Sequence, residues 1–212
     1  MPTDNDHAIH RWTRQICLDN NTVNAADNAG NKPEATTRVT IRPIEHRDVI
    51  LEQEFIRHLS DVARRRLSPE GRTHFTTEEL LELCSVDYRN SMAFVATTVS
   101  GGKTREIGIA RYSRDCDRAV HEAAVVVARE YVDTLLTACL LESLIWYARE
   151  HGVLILKVID FYTNTTLKML AMELGMTPSA DDHDPHRVIY TLSLSTVVNE
   201  NEDEVKDEAE NR

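Results

Sequence analysis

Two periodicities of apolar residues run along the chain and predict alternating strands and helices. Short apolar runs predict strands at 38–42, 92–98, 105–113, 119–128, 153–159 and 187–194. Apolar residues three and four positions apart predict helices at 47–59, 77–84 and 164–174, and a long helix that ends at His151-Gly152. Interleaved strands and helices are typical of the α/β (α+β) class, so we expect a single mixed, twisted sheet of about six or seven strands flanked by about four helices.

The segment from Ala119 to Gly152 is the most informative part of the chain. It contains a buried strand over 123–128, a short turn, and an amphipathic helix in which Leu136, Leu140 and Leu144 recur at four-residue spacing. A strand that leads directly into a helix is where several folds bind a phosphate, because the free N–H groups and the helix dipole both favour an anion. The pattern therefore makes this turn a candidate anion-binding site.

Four segments, in the same order and at matching separations, resemble the GNAT acyltransferase superfamily, most closely its Pat-like protein-lysine acetyltransferase branch. They are VTIRPIEHRD (39–48), FTTEELLELCSVDYRNSMAFVA (75–96), REIGIARYSRD (105–115) and YTNTTLKMLAMELGM (162–176). Asn164, Gly175 and the sequence Gly108-Ile109-Ala110-Arg111 match the family pattern, whereas Met176 stands where an aromatic residue is usual. The resemblance covers about residues 38–194. It implies the GNAT fold, acetyl-CoA or another acyl-CoA as cofactor, and acyl transfer to an amine.

The resemblance also implies a set of cofactor-binding residues. In the family a glycine-rich turn holds the pyrophosphate of acetyl-CoA with its amides, and the preceding strand and a later asparagine contact the rest of the cofactor. The corresponding residues here are Val125, Val127, Val132, Asp133, Thr134, Leu135, Leu136, Thr137 and Asn164. Asn164 is equally explained as a helix N-cap.

The turn itself contains no glycine, which changes what it can bind. Glycine lets a backbone approach phosphate oxygens closely, whereas Val132, Leu135 and Leu136 add bulk. Asp133 adds a charge that repels phosphate, at a cost of roughly 1 to 4 kcal/mol for two unit charges about 4 Å apart. We expect cofactor affinity to be lowered by orders of magnitude, unless Thr134, Thr137 or Arg129 compensates.

Glu122 is the candidate catalytic base, because Pat-like enzymes carry a glutamate at this point of the strand. A carboxylate among apolar strand residues near a cleft has a raised pKa and can accept a proton. The alternative is a strand-end glutamate that faces solvent. His121 points to the opposite face of a regular strand, where we expect a surface histidine. Many family members use a tyrosine as general acid, and the equivalent position here is Ala171.

Composition and charge limit the domain organisation and the partners that we expect. The net charge of the 212 residues is −11, and residues 200–212 carry seven acidic and two basic side chains. We divide the chain into a flexible leader (1–36), a GNAT-like domain (37–196) and a disordered acidic tail (197–212). A short docking helix over Ile9–Leu18 is an alternative for part of the leader. Nucleic acid is not an expected partner of so acidic a chain.

The apolar runs are too short to span a bilayer, and the four cysteines share no metal-ligand spacing. We therefore expect no membrane association, no metal site and a cytoplasmic protein. The glycine-less turn favours a GNAT-fold protein with weakened or lost acetyl-CoA binding, serving as a regulatory or ligand- or protein-binding module. The alternative is an active acyl-CoA-dependent N-acyltransferase with Glu122 as base, acting on an amine such as a protein lysine. A structural subunit paired with an active relative, and a homodimer, also stay open.

Overall fold

The computed structural model describes residues 11–19, 36–67, 72–115, 119–132 and 134–194. Its strands are β1 (Arg14–Asp19), β2 (Thr36–Pro43), β3 (Ser91–Ser100), β4 (Lys103–Arg114), β5 (Val120–Val127), β6 (Ile155–Phe161), β7 (Thr177–Ala180) and β8 (Arg187–Ser193). Its helices are α1 (Val49–His58), α2 (Asp61–Leu67), α3 (Thr77–Cys84), α4 (Leu136–Glu150) and α5 (Thr165–Glu173). Short 3-10 turns at His46–Asp48 and Arg129–Tyr131 precede α1 and α4.

The strands form one sheet in the order β1-β2-β3-β4-β5-β6-β8-β7. All neighbouring strands run antiparallel except β5 and β6, which run parallel. The predicted mixed sheet is confirmed, with eight strands instead of six or seven. The additional strands are β1 and β7, which form the two edges of the sheet.

Part of the predicted leader belongs to this sheet. β1 pairs along its whole length with β2, and the side chain of Trp12 is buried in the core. The alternative of a docking helix over Ile9–Leu18 is wrong for the described residues. Ile16 and Leu18 lie two residues apart on the inward face, which is the period of a strand. The rest of the leader, and the predicted acidic tail at 197–212, lie outside the described residues.

Helices cover both faces of the sheet. A Cβ atom on Gly108 would lie 2.9 Å from Cδ1 of Leu140, so α4 packs closely on the face to which Gly108 belongs. Arg111, of opposite parity in β4, donates from Nη2 to the carbonyl oxygen of Leu83, at a distance of 2.7 Å. This places α3 on the other face. No helix in the described part of the chain is long and apolar enough to cross a membrane.

Local sequence signals fix the ends of several helices. Thr76 and Glu79 form a capping box at the start of α3, with the Thr76 hydroxyl accepting from the Glu79 N–H and the Glu79 carboxylate accepting from the Thr76 N–H. Gly152 has φ = +72°, so it supplies the left-handed conformation predicted beyond the end of α4. The stretch around Arg64–Arg66, which gave no clear helical signal in the sequence, lies in α2.

The parallel pair β5 and β6 separates part of the way along. The two strands pair from Val120 with Ile155 to Ala123 with Val158, and no pairing follows between them in the described residues. β5 continues to Val127 and pairs there with β4 alone, while β6 continues to Phe161 and pairs with β8 alone. The sheet therefore opens into a cleft between Ala124–Val127 and Ile159–Phe161.

Candidate functional site

A cavity of about 540 Å³ lies along the end of β5 from which β6 has separated. We call it the donor cavity. One wall is the end of β5, Val125 to Val127, and the opposite wall includes Asn164 and Leu167 of the α5 region. The N-terminal turn of α4 contributes Thr137, so the cavity extends to the anion-binding turn predicted from the sequence.

The backbone of β5 offers hydrogen-bond donors to this cavity. Ala128 donates its N–H to the carbonyl oxygen of Ile107 at 2.8 Å, so its N–H points towards β4. Successive N–H groups of a strand point to opposite edges, so the N–H of Val126 also points towards β4. The N–H groups of Val125 and Val127 therefore point into the cleft, where β6 has separated and does not accept them. They can bond a carbonyl oxygen of a ligand.

The predicted anion-binding turn contributes fewer side chains to the cavity than its sequence suggested. Val132 and Thr137 line the cavity, whereas Leu136 is fully buried in the core. Leu135 is 72% exposed, so its side chain projects into solvent and does not fill the cavity. Asp133 lies outside the described residues, and its predicted effect stays a prediction.

Thr134 uses its hydroxyl within the turn. The hydroxyl donates to the carbonyl oxygen of Tyr131 at 2.7 Å and accepts from the N–H of Leu136 at 3.2 Å. One amide at the start of α4 is thus already bonded inside the protein. Arg129 and Thr137, two of the residues proposed to compensate for the missing glycines, do line the cavity, and Arg129 supplies a positive charge there.

Asn164 has two structural bonds and also lines the donor cavity. Its Oδ1 accepts from the N–H of Leu167 at 3.1 Å, which caps α5, and its Nδ2 donates to Oδ2 of Asp160 at 2.7 Å. The N-cap interpretation of Asn164 is therefore confirmed. A role in cofactor binding stays a prediction, because both side-chain atoms already have partners.

A second cavity of about 300 Å³ lies against the face of the sheet that α3 covers. We call it the acceptor cavity. Glu122 and Ala124 of β5 line it, together with Arg111 of β4 and Leu83 and Val86 near the end of α3. Glu122 is half-buried in this cavity, so the alternative of a glutamate that simply faces solvent does not describe its position.

Burial is the main cause of a raised pKa at Glu122, and the negative charge of Asp115 raises the pKa further. The positive charges of Arg187 and Lys157 partly offset this shift. A carboxylate with a raised pKa is a better proton acceptor than an ordinary surface glutamate. The role of Glu122 as a base stays a prediction.

His121 differs from its prediction. It lies on the opposite face from Glu122, as expected, but it is 3% exposed and is not a surface histidine. Its ring packs edge-to-face on Tyr112, with centroids 5.2 Å apart, and neither ring nitrogen has a hydrogen-bond partner. Burial lowers the pKa of His121, so it is held in the neutral form. The sequence signal for this burial was weak because histidine occurs both inside and outside proteins.

Behind the acceptor cavity lies a buried group of charged residues. Glu52 of α1 and Glu106 of β4 are both fully or almost fully buried, and burial raises the pKa of each. Arg111, the last residue of the family-like Gly108–Arg111 match, extends Nη1 to 3.9 Å from Oε1 of Glu52. Arg111 thereby neutralises part of the buried charge and links α1 and α3 to the sheet.

The pairing of Arg66 with Asp160 is a feature of the site that the sequence did not reveal. Nε and Nη2 of Arg66 lie 2.9 Å and 2.8 Å from Oδ1 of Asp160, which is almost fully buried in β6. Arg66 lines both the donor and the acceptor cavity. The two residues are 94 positions apart, so no local pattern could have paired them.

Ala171, at the position of the tyrosine that many family members use as general acid, lies in α5. Ala171 is fully buried, and none of the described residues that line the donor cavity is a tyrosine. Among the described residues, no group of three or more histidine, cysteine, aspartate or glutamate side chains is arranged to hold a metal ion. In the loop where the sequence mixes aspartate and histidine, Asp181 accepts from the N–H of His183 and from Arg187 instead.

Comparisons with known proteins give the family. No protein-family model matches the chain. An acetyltransferase of Pseudomonas aeruginosa is 36% identical over 157 residues, which cover 74% of this chain and 84% of that protein. The GNAT domain of S. lividans PAT has the same fold, with a TM-score of 0.66, 17% identity, and coverage of 86% of this chain and 97% of that domain. A Salmonella typhimurium protein, whose structure contains its cofactor acetyl-CoA, has a TM-score of 0.57 and 21% identity over 76% of this chain and 96% of its own. The chain belongs to the GNAT acetyltransferase superfamily.

Proposed function

We propose that the protein is an acyl-CoA-dependent N-acyltransferase that transfers an acyl group, acetyl in the first instance, to a primary amine. One observation carries the proposal. The single strand β5 presents the N–H groups of Val125 and Val127 to the donor cavity and the carboxylate of Glu122 to the acceptor cavity. Val125 lies three positions after Glu122, a distance of about 10 Å along a strand.

The residues present can perform each part of such a transfer. Acyl-CoA supplies a thioester whose carbonyl carbon is attacked by the amine. Glu122 accepts a proton from the ammonium group, which makes the nitrogen nucleophilic. The N–H groups of Val125 and Val127 stabilise the negative charge that develops on the carbonyl oxygen, and fixed backbone donors need no reorganisation to do so.

The other end of the donor cavity suits the phosphate groups of the cofactor. The first turn of α4 carries no acidic residue, and Arg129 and Thr137 line the cavity beside it. The positive end of the helix dipole favours an anion there. Leu135 does not obstruct this position, because its side chain is mostly exposed. We infer that acyl-CoA binds through helix amides and Arg129, more weakly than to a glycine-rich turn.

Amines small enough to enter the acceptor cavity are the proposed acceptors, and a protein lysine is one of them. The cavity of about 300 Å³ is at the lower end of the range for ligand pockets, so it fits an amine-bearing side chain better than a large molecule. Glu79, Glu82 and Glu122 line it and favour a cation, although Arg66, Arg72 and Arg111 lie there as well. We propose a cytoplasmic location, because the acyl-CoA donor of such a reaction is present there.

A second candidate function is a module that has lost catalysis and binds another ligand or a protein. The bond between the Thr134 hydroxyl and the Leu136 N–H favours it, because the turn satisfies one of its own anion-binding amides. The two candidates differ in a simple respect, since only the enzyme consumes acetyl-CoA in the presence of an amine.

The experiment is a thiol-release assay with acetyl-CoA and a set of amines that includes a lysine-containing peptide. We expect amine-dependent release of coenzyme A, and a loss of about 10²- to 10⁴-fold in kcat for Glu122→Gln, the usual contribution of a general base. Glu150→Gln, an exposed glutamate at the end of α4, is the control and retains full activity. Acetyl-CoA that is never consumed with any amine would favour the binding module.

A further inference from the structure

We propose that Arg66, positioned by Asp160, stabilises the sulfur leaving group of the acyl donor at the junction of the two cavities. The inference rests on the proposed acyltransferase function. It concerns the stabilisation of the leaving group, which a tyrosine provides in many family members. The position of a catalytic tyrosine is Ala171, which is fully buried and has no acidic proton. The leaving sulfur therefore requires another stabilising group.

Arg66 is the residue that spans the reaction site. Among the described residues it is the one cation that lines both the donor and the acceptor cavity. The acyl group must lie where these cavities meet, because the amine enters from one side and the thioester from the other. The guanidinium group is therefore close to the bond that breaks.

The orientation of the guanidinium group is set by Asp160. Nε and Nη2 of Arg66 share Oδ1 of Asp160, and Nη1 makes no hydrogen bond to the described residues. The Asp160 carboxylate is itself held, since Oδ1 accepts from the N–H of Phe161 and Oδ2 accepts from Asn164. Two N–H bonds of Nη1 thus remain for a ligand, on a group whose rotation is restricted.

Asp160 also places the arginine across the opening in the sheet. Asp160 lies in the part of β6 beyond Val158, where pairing with β5 has ended. Arg66 comes from α2, so its bond to Asp160 connects that helix to the far side of the cleft. The bond therefore holds the guanidinium group beside the part of β6 that has separated from β5, and Arg66 lines the same cavity as Val125 and Val127.

A guanidinium group is chemically sufficient for this role. The amine nitrogen forms a bond to the carbonyl carbon, the carbon–sulfur bond breaks, and its electron pair goes to sulfur. Glu122 passes the proton it took from the ammonium group to solvent, and it accepts the second nitrogen proton as the amide forms. A thiol with a pKa of about 8.5, the value for cysteine, is acidic enough to leave as a thiolate, and a nearby positive charge stabilises that anion. Arginine remains charged throughout and cannot act as an acid, so it acts by electrostatic stabilisation.

The test compares Arg66→Met with the wild-type protein on two donors that carry the same acetyl group. One donor is acetyl-CoA, and the other is an acetyl thioester of an aromatic thiol that has a much lower thiol pKa. We expect kcat with acetyl-CoA to fall about 10²-fold, the order typical of removing one electrostatic donor. The loss with the aromatic thioester should be several-fold smaller, because that sulfur needs less stabilisation. Arg66→Lys, which keeps the charge, should restore part of the rate.

Two controls make the result specific. Arg65→Met removes the exposed neighbouring arginine, which lines neither cavity, and should leave kcat unchanged. Asp160→Asn leaves Arg66 in place but weakens the bond that orients it, so we expect an intermediate loss of kcat. This variant provides the test if Arg66→Met does not fold. Equal losses of rate on the two donors, or an unchanged kcat in Arg66→Met, would overturn the inference and leave the acyltransferase function standing. Wild-type protein without any amine-dependent turnover would overturn both.

Discussion

Gly108 and Leu140 approach each other so closely that even a methyl group at position 108 would have to displace a neighbouring side chain. A Cβ atom added to Gly108 would lie 2.9 Å from Cδ1 of Leu140 and 3.3 Å from the carbonyl oxygen of Val126. The close packing brings α4 against β4 and β5, and its first turn to the donor cavity. The geometry of the anion-binding end of the site thus depends on a glycine outside the turn itself.

Gly108→Ala should therefore destabilise the protein. Overpacking of this kind costs about 1 to 3 kcal/mol, and the free energy of unfolding can be measured by urea titration. Leu140→Ala removes the nearest atom, so the double variant should lose less than the sum of the two single losses. Strict additivity of the two changes would contradict the close packing described here.

Proline substitutions in β5 test the direction of its N–H groups. Val125→Pro removes an N–H that points into the cleft, so the sheet should remain folded while acetyl-CoA affinity and transfer fall. Val126→Pro removes an N–H that points to β4, so it should lower the free energy of unfolding by the larger amount. Thermal unfolding and acetyl-CoA titration of both variants measure the two effects. Equal destabilisation by both prolines would show that the N–H assignment is wrong.

Two substitutions in the turn separate its charge from its bulk. Asp133→Asn removes the negative charge that the sequence places beside the phosphate site, and we expect acetyl-CoA affinity to rise about 5- to 100-fold, within the range for charge repulsion near a protein surface. Leu135→Gly should change the affinity much less, because Leu135 is 72% exposed. A larger gain from Leu135→Gly than from Asp133→Asn in the same titration would mean that bulk limits binding.

His121 should make the protein sensitive to mild acid. Its pKa in the folded state is lowered by burial, so below the unfolded-state pKa of about 6.5 the unfolded chain binds a proton that the folded chain does not. Stability is therefore full above this pH and decreases as the pH falls towards the folded-state pKa, by up to about 1.4 kcal/mol per pH unit.

His121→Phe keeps a ring against Tyr112 and removes the titration. We expect the difference in unfolding free energy between the variant and the wild type to become more favourable to the variant as the pH is lowered from about 7 to 5. Urea titrations at several pH values measure it. A difference that stays constant over this range would contradict the buried, neutral state of His121.

The sequence predicted the parts of the fold that have strong local patterns. The helix at 77–84, the glycine after α4 and the apolar strand at 153–159 were all recognisable, and the structure has these elements close to the predicted bounds. β1 was missed because it is short and stands apart in a polar segment. α2 was missed because its basic residues conceal the single buried leucine, Leu67, at its end.

The site was predictable where it depends on position along one strand and hidden where it depends on distant contacts. Glu122 could be placed in register by its resemblance to the family, and it lines a cavity as expected. Arg66 and Asp160 meet only because α2 folds across the open sheet. The exposed orientation of Leu135 is likewise a result of how α4 begins, and side-chain volume in the sequence does not reveal it.

The most direct test of the central claim, that the glycine-less site still binds and uses acyl-CoA, is calorimetric titration of acetyl-CoA into the purified protein. We predict binding at a single site with a dissociation constant between about 1 µM and 1 mM, equivalent to about −8 to −4 kcal/mol. Val125→Pro, measured in parallel, should bind more weakly. Absence of any binding at millimolar acetyl-CoA would contradict the account and leave the fold without its proposed donor.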